Sequence, residues 1–223
     1  MLSSLFSKGN PEKGFRFRRN FCKTALKLFN IKVNFKGNAK NLTGLYISNH
    51  RAMLDPLIEL SLLDVYILSK SDVREYPLIG RGAKETGVFF VDRDSDNSRK
   101  AALDAIDKLL VSGKPVLIYP EGTTFDKDLT SDFRKGSFEV AFKKNIPVTP
   151  LMIEYPDPSY YWTDEPLFGY FQRLFSSKGV HQAYLEMGEP ITADTAEQLL
   201  IKTKAAIDQM IINRRILNKT SKN

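Results

Sequence analysis

The sequence has almost none of the residues from which disulfides and metal centres are built. Its 223 residues include one cysteine, Cys22, and two histidines. One cysteine excludes an internal disulfide and a cysteine cluster for zinc, and two histidines do not make a histidine-rich metal site, so we expect no metal and a reducing compartment. Long apolar runs are also missing, because stretches such as 145–153 fall far short of the roughly 20 residues that cross a bilayer.

Positive charge is concentrated towards the amino terminus. The net charge is +7, and residues 1–40 carry ten Lys or Arg against one acidic residue, which leaves the rest of the chain at a net charge of −2. A nucleic-acid-binding domain more often spreads its basic residues over its body, and no recognition motif is visible, so we expect no nucleic-acid partner. The pattern favours docking of one end of the protein on an anionic membrane surface.

The basic segment has the spacing of an amphipathic helix. Phe17, Phe21, Ala25 and Leu28 recur at helical intervals, and the basic residues lie largely off that stripe. Such a helix can lie in a membrane interface. The alternative is that the same stripe packs on the domain and leaves a charged face in solvent.

From residue 43 onward, short apolar runs alternate with helical patterns. This alternation predicts a single α/β domain in which helices flank a largely parallel sheet. The predicted strands cover 44–48, 65–68, 87–91, 115–119, 148–153 and 181–187, and the predicted helices cover 56–63, 98–111, 136–144 and a last helix that starts with Asp194 and Glu197 at capping-box spacing. We place this domain at 36–216, between a membrane-associating segment at 1–35 and a polar tail at 217–223. The segment 155–178 has no pattern that assigns it.

One of the two histidines lies where α/β folds place their ligands. In the stretch SNHRAMLDP, His50 follows a predicted strand and Asp55 comes five residues later. If a turn brings the two together, Asp55 can accept the Nδ1 proton of His50 and leave Nε2 free to act as a base. Asp55 is equally well explained as the N-cap of a helix with Pro56 at its first position, and Asn49 as part of a polar strand end.

Three further stretches carry polar groups close to strand ends or helix starts. VLIYPEGTTF runs from a strand into residues 121–124, which predict either an anion-binding nest or an ordinary turn. GVFFVDRDSD delivers Arg93, which suits a phosphate or carboxylate but also a solvated ion pair with the neighbouring aspartates. FRKGSFEV places Arg134 and Lys135 before a helix start, as a candidate anion site or a charged cap.

The order and spacing of these stretches resemble the motifs of one family. Asn49 and His50 with Asp55 resemble a first block, YPLIGRGAKETGVFFVDRD a second, YPEGTTF a third and IPVTPLMI a fourth. Together the four blocks resemble the glycerolipid acyltransferases typified by 1-acylglycerol-3-phosphate acyltransferases. Four ordered blocks over roughly residues 40–155 are far more specific than any one of them.

This resemblance implies transfer of a fatty acyl group from acyl-CoA or acyl-carrier protein to the hydroxyl of a lyso-lipid, with 1-acylglycerol-3-phosphate as the first candidate. His50 would be the general base and Asp55 would orient it, without an acyl-enzyme or a bound cofactor. The candidate substrate-binding residues are Asn49, Arg93, Glu121, Gly122, Thr123, Thr124, Arg134 and Lys135. The expected partners are the membrane lipid, an anionic membrane surface and, where it is the acyl donor, acyl-carrier protein. The expected location is peripheral, on the cytoplasmic face of the membrane.

One position departs from the pattern of phosphate-acceptor members. Their third block usually continues Glu-Gly-Thr-Arg or Glu-Gly-Thr-Ser, whereas this chain has Thr124. Threonine cannot offer a charge-assisted fork to a phosphate, although Arg93, Arg134 or Lys135 could supply the charge. Lyso-ornithine or glycine-type aminolipids are therefore alternative acceptors. The alternative outside enzymes is a catalytically silent lipid-surface binding protein, which has no need of the histidine–aspartate pair.

Overall fold

A computed structural model describes residues 11–70, 86–91, 96–162 and 165–220. Its strands are β1 Ile31–Lys36, β2 Leu45–Ser48, β3 Tyr66–Lys70, β4 Val88–Val91, β5 Val116–Ile118, β6 Val148–Glu154 and β7 His181–Met187. Its helices are α1 Pro11–Leu28, α2 Asp55–Leu60, α3 Asp96–Val111, α4 Gly136–Lys143, α5 Leu167–Ser176 and α6 Ala196–Thr220, with a 3₁₀ turn at Pro158–Tyr160. The strands form one seven-stranded sheet in the order β1-β7-β6-β2-β5-β3-β4.

Most of this sheet is parallel. The neighbours β6, β2, β5, β3 and β4 all pair in parallel, while β7 pairs antiparallel with β6 and parallel with β1. The predicted α/β fold with a largely parallel sheet is therefore confirmed. The carboxyl ends of β2, β5 and β6 meet at one edge, which is where open α/β sheets bind their ligands.

Helices cover both faces of the sheet, because a sheet with parallel strands at its centre has two apolar faces to bury. On one face, α1, α2 and α5 contribute the buried residues Cys22, Leu26, Ile58, Leu60, Tyr170 and Leu174. On the other face, α3, α4 and α6 contribute the buried residues Ile106, Leu109, Phe138, Ala141, Ile207 and Ile211. The candidate site therefore lies on a scaffold that is packed on both sides.

The sheet contains one strand that is not among the sequence predictions. The six predicted strands all form within two residues of their predicted limits, and β1 is added at the sheet edge. Its sequence, IKVNFK, alternates apolar and polar side chains, and Ile31–Lys36 pairs in register with residues 181–186 of β7. The boundary predicted between residues 35 and 36 falls inside this strand. Association of residues 1–35 with a membrane stays a prediction.

The first helix buries a different face from its apolar stripe. Phe17, Phe21 and Leu28 of the stripe are exposed. The buried positions are Gly14, Arg18, Cys22 and Leu26. Arg18 explains this orientation, because its guanidinium donates hydrogen bonds of 2.6–3.1 Å to the carbonyl oxygens of Leu63, Val65 and Thr86. No helix within the described ranges has the length and apolar character that a membrane span requires.

The last helix begins and ends differently from its prediction. The Oγ1 of Thr195 accepts a hydrogen bond from the N–H of Gln198 at 3.1 Å, and the side chain of Gln198 accepts one from the N–H of Asp194 at 3.3 Å. The predicted capping box of Asp194 and Glu197 is therefore wrong by one residue. Helix α6 continues to Thr220, so part of the predicted polar tail is helical.

Candidate active site

His50 and Asp55 lie in contact just beyond the carboxyl end of β2. His50 Nδ1 is 2.8 Å from Asp55 Oδ2. The backbone N–H groups of Arg51 and Ala52 donate to the same oxygen, at 2.5 and 2.8 Å. The turn that this contact requires is thus present, and it is closed by the aspartate itself.

Asp55 does not cap the helix that follows it. Helix α2 begins at Asp55, and Leu54 at the N-cap position makes no side-chain cap. The fully buried Asp55 carboxylate points back to the turn, and its Oδ1 accepts a hydrogen bond from the Tyr155 hydroxyl at 2.6 Å. The N-cap prediction is wrong, because donors from the turn and from the end of β6 occupy both oxygens.

These contacts determine which ring nitrogen of His50 is available to accept a proton. An ionised carboxylate only accepts hydrogen bonds, so the contact with Asp55 places the hydrogen on Nδ1 and leaves the lone pair on Nε2. Burial raises the pKa of Tyr155 well above its ordinary value of 10, so its hydroxyl stays a donor to Asp55. The His50 side chain keeps 14% of its surface exposed. This is the arrangement of a general base oriented by a carboxylate.

A half-buried tyrosine supports the ring of His50. The Tyr119 ring stacks on it with centroids 4.2 Å apart and planes 16° apart. The Tyr119 hydroxyl donates to Glu59 Oε2 of α2, and burial raises the pKa of Glu59 to about 8. Neither supporting residue has a role in the sequence predictions. The available signal for Tyr119 is its position at the end of a strand, as the first residue of YPEGTTF.

Glu121 ties the histidine loop to the loop that follows β5. Its carboxylate is buried and accepts hydrogen bonds from the backbone N–H of His50 at 2.7 Å and of Ser131 at 2.8 Å. One of these partners is bound to each carboxylate oxygen. The carboxylate therefore holds two loops together, and contact of Glu121 with the substrate stays a prediction.

Arg134 lies over the loop at residues 121–124. Gly122 has φ of +78°, and a Cβ at this position would lie 2.7 Å from Arg134 Cζ, so the close approach requires glycine. The N–H of Gly122 donates to the carbonyl of Tyr119 at 3.2 Å, and this N–H therefore belongs to a turn. Thr123 is exposed and Thr124 is half-buried beside them.

The comparison with known proteins agrees with this arrangement. Residues 30–154, which contain the histidine–aspartate turn and the loop after β5, match the acyltransferase family. The chain belongs to the acyltransferase family. The resemblance found in the motifs is thereby confirmed.

Curated relatives of the chain have two kinds of name. A lyso-ornithine lipid O-acyltransferase of Rhizobium meliloti is 28% identical over 141 residues, which are 63% of this chain and 48% of the relative. A chloroplastic 1-acyl-sn-glycerol-3-phosphate acyltransferase of Brassica napus is 31% identical over 150 residues, which are 62% of this chain and 44% of the relative. The matches thus span about half the length of these two relatives.

The chain also shares the fold of a solved structure. A crystal structure of the 1-acyl-sn-glycerophosphate acyltransferase from Thermotoga maritima aligns with 93% of this chain and 82% of its own, with a TM-score of 0.70. The sequence identity is 18%, so this likeness shows a shared fold.

Three other residues that are predicted to bind substrate lie in different surroundings. Asn49 is buried, and its amide donates to the carbonyl of Ile153 at 2.9 Å and accepts from the N–H of Ile153 at 2.8 Å. This amide joins the end of β2 to β6, and a substrate role for Asn49 stays a prediction. Lys135 is largely exposed and pairs with Glu139 at 3.3 Å, one turn along α4. Arg93 lies outside the described residues.

Arg51 is a buried residue beside His50 that the sequence predictions omit. Its guanidinium donates to the carbonyl oxygens of Phe125, Lys127 and Asp128 at 2.9, 2.5 and 3.2 Å. The N–H of Phe125 in turn donates to the carbonyl of His50 at 2.8 Å. Arg51 therefore fastens the segment after Thr124 against the histidine loop. Across the described residues, no group of three or more His, Cys, Asp or Glu side chains is placed to hold a metal ion.

Proposed function

We propose that this acyltransferase moves a fatty acyl group from acyl-CoA or acyl-carrier protein to the hydroxyl of a lyso-lipid, with His50 as general base. The observation that carries the proposal is the 2.8 Å contact between His50 Nδ1 and Asp55 Oδ2, made at the edge of the sheet where ligands bind. Membership of the acyltransferase family supports the reaction class.

In the proposed reaction, His50 Nε2 accepts the proton of the acceptor hydroxyl as its oxygen attacks the thioester carbonyl. A C–O bond forms, the carbonyl electrons move to oxygen, and Asp55 stabilises the imidazolium. Collapse of this intermediate breaks the C–S bond, and the departing thiolate takes the proton from Nε2. The products are an ester and a free thiol, with no acyl-enzyme. A base positioned in this way contributes about 10²–10⁴ in rate.

The first candidate acceptor is 1-acylglycerol-3-phosphate. A phosphate group requires a nearby cation, and the guanidinium of Arg134 lies over Gly122 in the loop beside His50. A specific observation also favours a second candidate, a lyso-ornithine or glycine-type aminolipid. Thr124 occupies the position at which phosphate-acceptor members usually carry arginine or serine, and three relatives are named lyso-ornithine lipid O-acyltransferases.

The proposed location is the cytoplasmic face of a membrane, with the protein bound peripherally. The charge of residues 1–40 supports attraction to anionic lipid. The stripe residues Phe17, Phe21 and Leu28 support insertion into an interface, because they are exposed rather than packed on the domain.

An acceptor panel tests this proposal. The purified protein is given an acyl-CoA or an acyl-carrier-protein thioester together with 1-acylglycerol-3-phosphate, lyso-ornithine lipid or a lyso-glycine lipid, and released thiol and esterified product are measured. We expect thiol release that depends on the acceptor and is fastest with the phosphate. Faster release with an aminolipid would select the second candidate. If no thiol is released with any pair of donor and acceptor, the proposed enzymatic activity is contradicted and the catalytically silent lipid-binding protein is the remaining alternative.

A further inference from the structure

Helix α5 has one apolar side in the core and a second apolar side in solvent. Tyr170 and Leu174 are fully packed, whereas Phe168 and Phe175 are 80% and 70% exposed. Phe168, Phe171 and Phe175 follow each other at spacings of three and four residues, so they form one stripe along the helix. Packing of the core explains Tyr170 and Leu174, and in part Phe171, and leaves the exposed Phe168 and Phe175 unexplained.

The phenylalanine stripe of α5 continues onto neighbouring elements. Phe171 stacks on Phe29, which follows α1, with ring centroids 5.1 Å apart. Leu28 beside it and Val180 before β7 are exposed aliphatic residues. We call this surface the apolar rim and define it by Leu28, Phe168, Phe175 and Val180. Exposed apolar side chains that cluster in this way mark a surface for interaction.

The apolar rim lies at the same edge of the sheet as the candidate active site. Because β7 runs antiparallel to β6, the first residue of β7, His181, lies towards the end at which β6 finishes with Glu154. Ile31 at the start of β1 pairs with His181, so the end of α1 reaches the same edge. Tyr155, which follows β6, donates to the carboxylate that orients His50.

Exposed lysines border this surface. Lys23, Lys27 and Lys32 line, together with Leu26 and Val180, a mostly apolar cleft of about 320 Å³ between α1 and β1. An apolar surface with a border of ammonium groups is complementary to a bilayer that contains anionic lipid. The apolar side chains can enter the acyl boundary while the ammonium groups meet headgroup phosphates.

We propose that the apolar rim docks the enzyme on an anionic bilayer, with α5 entering the interface beside the end of α1. This inference deepens the proposed function, and it depends on that function for the expectation of a lipid substrate. It adds α5 to the amino-terminal helix as a membrane-contacting element. Docking by the rim turns the carboxyl edge of the sheet towards the lipid, so a lyso-lipid in the bilayer is presented to His50.

Flotation with vesicles tests the apolar rim. The full chain and a variant with Phe168→Ser and Phe175→Ser are mixed with vesicles of phosphatidylcholine, alone or with phosphatidylglycerol. We expect the affinity of the variant for the anionic vesicles to fall at least about tenfold, because two large apolar side chains no longer enter the interface. The Phe168→Leu and Phe175→Leu pair should keep most of the binding.

A matched control removes exposed apolar residues from the opposite edge of the sheet. Val111 ends α3 just before β5 begins, and Ile201 lies near the start of α6. They are 62% and 56% exposed. A variant with Val111→Ser and Ile201→Ser should bind the vesicles as the wild type does.

The outcomes separate the docking surface from the reaction. Unchanged vesicle binding of the Phe168 and Phe175 serine variant would overturn the proposal, as would a finding that the substitutions abolish self-association instead. The variant should still turn over a short-chain donor with a lyso-lipid short enough to remain monomeric. A wild type that floats with vesicles through the rim but turns over no substrate would support the docking and contradict the proposed reaction.

Discussion

Replacement of Asp55 by asparagine separates the charge of this side chain from its hydrogen bonds. The N–H groups of Arg51 and Ala52 belong to the turn and cannot become acceptors, so the amide oxygen should take the position of Oδ2, which lies 2.5 and 2.8 Å from them. The amide nitrogen then faces the Tyr155 hydroxyl, which can rotate and accept. The variant therefore keeps the turn and the tautomer of His50 and loses the negative charge.

The size of the effect follows from the contact of 2.8 Å between His50 Nδ1 and Asp55 Oδ2. Opposite charges centred about 4 Å apart attract by about 4 kcal/mol at an effective dielectric constant of about 20. This attraction acts once His50 has accepted the hydroxyl proton, so its loss raises the barrier. We expect Asp55→Asn to lower turnover by about 10³, at tenfold per 1.4 kcal/mol.

Acceptor-dependent thiol release measures this loss, and urea unfolding measures stability. The unfolding free energy of the Asp55→Asn variant should lie within about 1 kcal/mol of the wild-type value. The unfolding free energy of Asp55→Ala should fall by several times about 1 kcal/mol, because each buried donor left without an acceptor costs about 1–3 kcal/mol. A rate of thiol release by Asp55→Asn within tenfold of the wild-type rate would refute the role of the charge. An asparagine variant as unstable as the alanine variant would refute the orientation of the amide.

Two further predictions concern neighbouring groups. Because burial raises the pKa of Glu59 from 4.5 to about 8, the folded protein holds a proton that the unfolded chain releases. The unfolding free energy of the wild type should therefore fall by on the order of 5 kcal/mol as pH rises between these two pKa values. Urea unfolding of Glu59→Gln should lack this slope, and identical slopes would contradict the assignment. Arg134→Ala should raise the KM for 1-acylglycerol-3-phosphate by about 10–100-fold, while Lys135→Ala, which removes a cation paired with Glu139, should not. Equal KM values for the two variants would exclude Arg134 from the acceptor site.

The strands of the parallel sheet could be predicted because burial on both faces leaves local apolar runs in the sequence. The β2 strand is buried along its whole length, and the glycines and prolines beside such runs mark their ends. The β1 strand lies at the sheet edge, where Lys32, Asn34 and Lys36 alternate with apolar residues. Because this weaker pattern follows a basic helix directly, it is easily assigned to the amino-terminal segment instead of to the sheet.

The partners of polar side chains could not be predicted, because they depend on which strands become neighbours. Tyr155 meets Asp55, 100 residues earlier, only because β6 pairs with β2. Asn49 is occupied by β6 for the same reason. Glu121 sits in a motif that resembles a substrate loop, yet its oxygens are occupied by backbone donors. Motif spacing thus predicted which residues lie close together, and the strand order determined the hydrogen-bond partner that each of them has.

The orientation of α1 illustrates the same limit. Its apolar stripe predicts that the face with Phe17 and Phe21 is buried. The buried face is instead that of Arg18, because three carbonyl oxygens converge on its guanidinium. Residue type alone gives no sign of this, since an arginine in a basic segment is expected in solvent. The phenylalanines of the stripe remain exposed as a result, and they are the residues of α1 that we propose to contact a bilayer.

Acceptor-dependent thiol release by His50→Ala tests the central claim most directly. The ring of His50 stacks on Tyr119 and is partly exposed, so the unfolding transition of the variant is measured alongside its activity. We predict that the variant stays folded and that its rate of thiol release falls by about 10²–10⁴, the contribution of a positioned base. A folded His50→Ala variant that releases thiol at the wild-type rate would contradict the assignment of His50 as the general base.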